Sequence, residues 1–127
     1  MPYTTLPIVG AFYRPPAQTL LGVLPVGTDL TLMAEPDNAH DPNAVAVWLA
    51  SAEIPPDVYD LLEAGLATSG HTLSTILNQE YWHLGYLPKN FAALLKSSGT
   101  VTDNEVLFVT FAISNGKPAV RFPSPVL

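Results

Sequence analysis

The thirteen prolines are the sequence feature that most limits what this chain of 127 residues can fold into. Proline fixes its own φ angle and has no backbone N–H, so it interrupts long helices and central strands alike. Apolar residues make up 48% of the chain, which is enough for a real core in one domain of this length. The sequence therefore predicts one domain built from short elements, and it disfavours a helical bundle.

The charge composition excludes several classes of function. Only 13% of the residues are charged, the formal net charge is −6, and the five cations are Arg14, Lys89, Lys96, Lys117 and Arg121. Nonspecific binding to duplex DNA depends on many Lys and Arg contacts to phosphates, so any nucleic-acid contact here has to be small and local. The chain has no cysteine, which excludes disulfides, thiolate metal sites and a cysteine nucleophile.

We expect a soluble, cytoplasmic protein that makes no contact with membranes. No apolar run approaches the ~20 residues that a membrane-spanning helix requires. The first residues also lack the basic start that a signal peptide has.

Short runs of β-forming residues alternate with turn signals along the chain. Helices are predicted after Pro56 and over residues 89–96, whereas residues 18–24 and 72–77 fit more than one structure. The pattern predicts a mainly β fold, a small antiparallel barrel of about six strands with one or two inserted helices. Strands are predicted over residues 6–13, 28–34, 44–49, 81–87, 105–113 and 119–122.

The last two predicted strands carry more specific signals. Residues 105–113 are nearly continuous in β-forming residues, so we expect that strand to be buried on both faces. The dipeptide Asn115-Gly116 follows it and suits the type I′ turn of a two-residue hairpin.

Residues 35–43 form the most polar stretch of the chain and stand between two apolar runs. Seven of its nine residues are Pro, Asp, Asn or Glu. A plain hairpin needs only about two to five turn residues, so this loop is longer than turning requires and is the first candidate for a functional site. The competing interpretation is that its side chains only bond their own backbone, as Asx turns do. For Asp37 and Asn38 that structural interpretation comes first, whereas for Asp41 with Asn43 the two are even on sequence alone.

Three separated blocks of the sequence resemble the HIRAN domain. The first covers residues 8–13 and the third covers residues 84–88, continued by the helix over residues 90–95. The second block, residues 30–47, is the most specific because it contains the frame Glu-Pro-x-Asn-x-x-Asp-x-Asn-Ala. HIRAN domains are small OB-like β-barrels, found in fork-remodelling DNA translocases and as stand-alone bacterial and phage proteins. The resemblance implies a barrel of this OB-like kind here.

The resemblance also implies a ligand, because the HIRAN domain of one such translocase caps the free 3′ end of single-stranded DNA. Phe12 and Tyr13 match the aromatic pair that stacks on or borders the terminal nucleotides. Neighbours in a strand point to opposite faces, so Phe12 is the better core candidate and Tyr13 the better stacking candidate. Asp41 matches the acid that accepts a hydrogen bond from the 3′-hydroxyl. Arg14 and Lys89 are the cations best placed by sequence to contact the neighbouring phosphates.

Further positions are implied by the same match. Asn38 and Asn43 match polar positions of the loop, and Tyr86 lies where the DNA-capping member contributes a histidine to the phosphate contacts. His40 stands where that member has a tyrosine, and it is either a phosphate donor when protonated or a simple loop residue. Ala11 stands where that member has an arginine. The predicted DNA-binding residues are Phe12, Tyr13, Arg14, Asn38, His40, Asp41, Asn43, Tyr86 and Lys89.

The predicted function is that of a DNA-binding module that recognises the free 3′ end of single-stranded DNA without catalysis. Residues 1–127 are expected to form a single HIRAN-like domain with an inserted helical segment at about residues 50–79, which is either a lid or a dimer interface. No HExxH, EF-hand, nucleophile-elbow or phosphate-loop motif occurs, so we predict no metal and no cofactor. The expected partners are a single-stranded DNA end and a DNA-processing protein. The alternative is that the same barrel docks protein through the apolar surface around the inserted segment and does not bind DNA.

Overall fold

A computed structural model describes residues 4–11 and 15–126, and six β-strands form its framework. All neighbouring strands are antiparallel, and the order in the sheet is β1-β6-β5-β2-β3-β4. The predicted mainly β fold with about six antiparallel strands is confirmed. The strands are β1 (Thr5–Pro7), β2 (Asp29–Ala34), β3 (Val45–Ala50), β4 (Tyr81–Tyr86), β5 (Val106–Ser114) and β6 (Lys117–Arg121).

The two edges of the sheet meet where Val9, just after β1, pairs with Tyr86 at the end of β4. Each residue donates its backbone N–H to the carbonyl oxygen of the other, with both N···O distances at 2.8 Å. Gly85 permits this approach, because a Cβ atom there would lie 2.5 Å from the carbonyl oxygen of Val9, and its φ is +152°. The curled sheet is therefore consistent with the OB-like barrel that the family resemblance implies.

The first strand is shorter than the predicted one over residues 6–13. β1 ends at Pro7, and Gly10 has a φ of +85°, a left-handed conformation that directs the chain out of the sheet. Residues 12–14, which include three predicted site residues, lie outside the described residues.

The prediction that β5 is buried on both faces is wrong. Val109 and Phe111 point into the core and are buried, whereas Phe108 between them is 67% exposed. The strand therefore alternates as one face of a barrel wall does. Its continuous run of apolar residues could not show this, because such a run has no periodicity from which the covered face can be identified.

The hairpin between β5 and β6 has the predicted turn. Asn115 has a φ of +53° and Gly116 a φ of +75°, and a type I′ turn requires positive φ at both central residues. Ser114 pairs with Lys117 on either side of the turn, which fixes the register of β6 against β5.

Four α-helices occur in the described chain, where the pattern predicts one or two. Both ambiguous segments are helical, since α1 buries Leu20 and Leu21, and α3 begins after Thr72, whose hydroxyl accepts from the backbone N–H of Thr75 at 3.1 Å. Within the described residues, no helix combines the length and the apolar character needed to cross a membrane. The helices are α1 (Pro15–Val23), α2 (Tyr59–Leu66), α3 (Leu73–Asn78) and α4 (Lys89–Ser97).

The segment between β3 and β4 is packed into the hydrophobic core. Leu62 and Leu66 of α2 and Ile76 of α3 are fully buried in one cluster with residues of the barrel and of α1. The contact with α1 is close, because a Cβ atom on Gly65 would lie 2.6 Å from Cγ2 of Thr19. The inserted helices therefore form a second layer against the barrel.

Candidate nucleic-acid interface

The polar loop between β2 and β3 is shaped by hydrogen bonds to its own backbone. Oδ1 of Asn38 accepts from the backbone N–H groups of His40 at 2.9 Å and Asp41 at 3.0 Å. The N–H of Asn38 donates to the carbonyl oxygen of Glu35, and that of Ala44 donates to the carbonyl oxygen of Asp41. The two bonds to Oδ1 are of the Asx-turn kind, so the side chain of Asn38 fixes the path of the loop from within.

Asp41 combines a structural bond with an available carboxylate oxygen. Its Oδ1 accepts from the backbone N–H of Asn43 at 2.9 Å, and its side chain is half-buried. No described residue donates a hydrogen bond to Oδ2. Because an ionised carboxylate only accepts hydrogen bonds, this oxygen offers an acceptor to a ligand hydroxyl.

Glu35 ties the loop to β4. Its Oε1 accepts from Nδ2 of Asn38 at 3.0 Å and from the hydroxyl of Tyr86 at 2.9 Å. Glu35 was not among the predicted site residues, although its place at the start of the Glu-Pro-x-Asn frame was a signal that could have identified it. The hydroxyl proton of Tyr86 is thereby held by a carboxylate.

A β-bulge at Leu84 sets the direction of Tyr86. Ala46 pairs with Tyr86 and Trp48 pairs with His83, so a step of two residues in β3 matches a step of three in β4. Without the extra residue, His83 and Tyr86 would point to opposite faces of the sheet. With it, their rings meet edge to face with centroids 4.7 Å apart, and His83 stacks on Trp48 at 4.8 Å.

A shallow groove of about 420 Å³ lies where the polar loop meets the end of β4 and the start of α4. Five of the nine predicted DNA-binding residues line this groove, although they come from two distant parts of the sequence. No residue of the segment 50–79 lines the groove, so the inserted segment does not fill its mouth. The lining residues are Val9, Asn38, His40, Asp41, Ala44, Tyr86, Leu87 and Lys89.

Of the other four predicted residues, the structure describes only Asn43. Asn43 is exposed and does not line the groove, and its backbone N–H is used by Asp41. Phe12, Tyr13 and Arg14 lie outside the described residues, so their roles stay predictions.

Comparison with known protein families shows the family to which the chain belongs. The family model of the HIRAN domain matches residues 3–118, which is nearly the whole chain. The chain belongs to the HIRAN domain family. HIRAN domains bind DNA and are not themselves catalytic. A search of curated proteins and a search of solved structures found no match.

The groove of this HIRAN domain carries few charges. Lys89 and His40 are exposed, Asp41 is the one carboxylate of the lining, and Lys89 has no ion pair within the described chain. Nor do the described residues bring together three or more His, Asp and Glu side chains that could hold a metal ion. The described residues of the groove thus offer one ammonium and one carboxylate. This is the small, local kind of nucleic-acid contact that the few cations and the net negative charge of the chain allow.

Lys96 does not line the groove but holds the polar loop that does, and it was not among the site residues predicted from the sequence. Its Nζ donates to the carbonyl oxygen of Pro42 at 3.0 Å and lies 2.7 Å from Oδ1 of Asp103. The ammonium therefore connects the polar loop to α4 and to the segment before β5. No local pattern could reveal this contact, because Lys96 and Pro42 are 54 positions apart.

Proposed function

We propose that this HIRAN domain binds the free 3′ end of single-stranded DNA and does so without catalysis. The observation that carries the proposal is the meeting of Asp41, Tyr86 and Lys89 in one groove. A terminal 3′-hydroxyl can donate to Oδ2 of Asp41, whereas a terminal 3′-phosphate would bring like charges together. The groove therefore suits a strand end with a free hydroxyl better than an internal or phosphorylated position.

The remaining contacts follow from the chemistry of the lining. Lys89 is positioned to contact the phosphate next to the terminal nucleotide, since its ammonium is exposed at the groove. The hydroxyl of Tyr86 already donates to Glu35, so this residue meets the nucleotide with its ring. Stacking of a base on an aromatic ring contributes about 1–3 kcal/mol without reading sequence. Phe12 and Tyr13, which lie outside the described residues, remain predicted as the aromatic pair that stacks on or borders the terminal nucleotides, with Tyr13 the better stacking candidate.

The proposal also includes the two asparagines of the polar loop, the second predicted cation and the location of the protein in the cell. Asn38 and Asn43 act on the ligand indirectly, because both hydrogen-bond with the backbone or side chain of the loop that carries Asp41. Arg14 remains the predicted second cation. A DNA ligand is in keeping with the cytoplasmic location that the sequence predicts.

The proposal is tested with a fluorescently labelled oligothymidylate that ends in a 3′-hydroxyl and its counterpart that ends in a 3′-phosphate. Anisotropy titrations should show binding of the hydroxyl form and at least about ten-fold weaker binding of the phosphate form, in line with loss of a charge-assisted hydrogen bond. Asp41→Asn keeps an acceptor for the N–H of Asn43 but removes the charge, so it should abolish the discrimination between the two ends.

The matched control is Asp37→Asn, because Asp37 is exposed and does not line the groove. This variant should discriminate between the two ends as the unchanged protein does. Binding of neither oligonucleotide would overturn the proposal. Discrimination that survives Asp41→Asn would show that the hydroxyl contact is assigned to the wrong residue.

A further inference from the structure

The outer face of the sheet carries an apolar patch that the described chain leaves uncovered. In β2, alternate residues from Leu30 point into the core, so Thr31 and Met33 point outwards. Residues directly opposite each other on neighbouring strands share a face, and Thr31 pairs with Phe108 while Met33 pairs with Val106. The outer patch consists of Thr31, Met33, Trp48, Tyr81, Val106 and Phe108, which together line one depression of about 340 Å³.

The exposure of the outer patch is high for side chains of this kind. Phe108 is 67% exposed, Tyr81 47%, Val106 44% and Met33 42%, and no member of the patch is charged. Single exposed apolar residues are ordinary on protein surfaces. A contiguous set across four strands is different, because water-exposed apolar surface of this kind marks a site of interaction.

The sequence of β5 also indicates that its outer face is covered by another surface. Its run of β-forming residues suits a strand that is covered on both faces, yet the described chain covers only the face that carries Val109 and Phe111. The side chains on the other face, Val106 and Phe108, belong to the outer patch. A second surface laid against this face would give β5 the two-sided burial that its composition favours.

Acidic residues lie close to the outer patch. Glu80 is exposed and lines a neighbouring depression that includes Tyr81, and the exposed Glu105 directly precedes Val106 in sequence. Asp29 and Arg121 line a neighbouring depression that includes Phe108. Carboxylates thus outnumber cations around the patch, and the whole chain carries a net charge of −6. The surroundings favour an occupant with positive charge.

We propose that the outer patch is a docking site for a segment of a partner protein whose apolar side chains are flanked by Lys or Arg. Single-stranded DNA fits less well, because its phosphates would meet Glu80 and Glu105 with no Lys or Arg in the patch itself. A second copy also fits less well, because two acidic borders would face each other. The patch shares no residue with the groove, so this inference goes beyond strand-end binding.

The test uses a labelled synthetic peptide with a leucine–phenylalanine centre and lysines at both ends, and the same peptide with glutamates at both ends. The lysine-flanked peptide should shift the amide resonances of Met33, Val106 and Phe108, and added salt should weaken its binding. Phe108→Ala should weaken it on the order of ten-fold, as truncation of an interface aromatic does. Leu61→Ala is the control, because Leu61 is an exposed apolar residue of α2 outside the patch, and it should change nothing.

A charge-reversal variant keeps the test independent of the effect of Phe108→Ala on folding. Glu80→Lys combined with Glu105→Lys changes only exposed residues and should transfer the preference to the glutamate-flanked peptide. Binding of neither peptide, or equal binding of both, would overturn the proposal. So would oligonucleotide-induced shifts confined to the patch, or a dimer in light scattering that Phe108→Ala dissociates.

Discussion

The hydroxyl of Tyr86 donates a hydrogen bond to Oε1 of Glu35 across 2.9 Å, and this bond joins two residues that are 51 positions apart in sequence. The same oxygen accepts from Nδ2 of Asn38, whose own Oδ1 holds the backbone of Asp41. The end of β4 and the acid of the groove are therefore connected through three consecutive hydrogen bonds, the last of them to the backbone of Asp41. The shape of the groove depends on β4 as much as on the loop.

Tyr86→Phe should lower the free energy of unfolding by about 1 kcal/mol, because it removes one hydrogen bond to a half-buried carboxylate. Tyr81→Phe is the matched control, since no described residue accepts a hydrogen bond from the hydroxyl of Tyr81 and the residue is exposed. That variant should stay within about 0.5 kcal/mol of the unchanged protein in urea unfolding. Equal effects of the two substitutions would show that the bond to Glu35 contributes no stability.

Gly85→Ala should destabilise the fold by more than about 2 kcal/mol, because the added Cβ would collide with the carbonyl oxygen of Val9 where the sheet edges meet. Gly22→Ala provides the opposite case in the same chain. Gly22 lies in α1, and beyond its chain neighbours and the backbone of its own helix no atom lies within 4 Å of the added Cβ, so alanine should raise stability by up to about 1 kcal/mol. Urea midpoints measure both effects, and an unaltered midpoint for Gly85→Ala would contradict the close pairing of Val9 with Tyr86.

The sequence predicted much of the fold because β-formers and turn residues act locally. The strands from β2 to β6 and the type I′ turn at Asn115-Gly116 lie where the β propensity of the residues and the turn-forming residues between them predict. The helices α1 and α3 remained ambiguous because both pack against α2, a contact that the local sequence does not show, and because α3 buries only Ile76. The exposure of the outer face of β5 was not predicted either, because burial depends on the elements that pack against a strand and not on the composition of the strand alone.

The site was predicted only in its local part. Asn38, His40 and Asp41 were identified in the polar loop, Tyr86 from the family resemblance, and Lys89 as one of the cations best placed by sequence. The contacts of Glu35 and Lys96 join segments more than fifty positions apart, and no local pattern records such contacts. The direction of Tyr86 also depends on the bulge at Leu84, which shows only when β3 and β4 are paired.

Asn38→Ala should loosen the loop without unfolding the barrel. The backbone N–H groups of His40 and Asp41 both lose their acceptor, so their amide hydrogen exchange should accelerate by about ten-fold, which corresponds to about 1.4 kcal/mol of local stability. The amide of Leu32 in the centre of the sheet should keep its exchange rate. Exchange is followed by NMR with Asp37→Ala as the control, and equal acceleration in that control would show that Asn38 does not organise the loop.

Lys89 should determine part of the salt dependence of strand-end binding, because it is the one cation that lines the groove in the described chain. The logarithm of the association constant falls with the logarithm of salt concentration by about 0.7 for each phosphate contact to a single strand. Lys89→Met should therefore make this slope shallower by about 0.7, whereas Lys89→Arg keeps the charge and should leave the slope unchanged. Anisotropy titrations of the 3′-hydroxyl oligothymidylate at several salt concentrations measure the slope. An unchanged slope for Lys89→Met would place the phosphate contact on another residue.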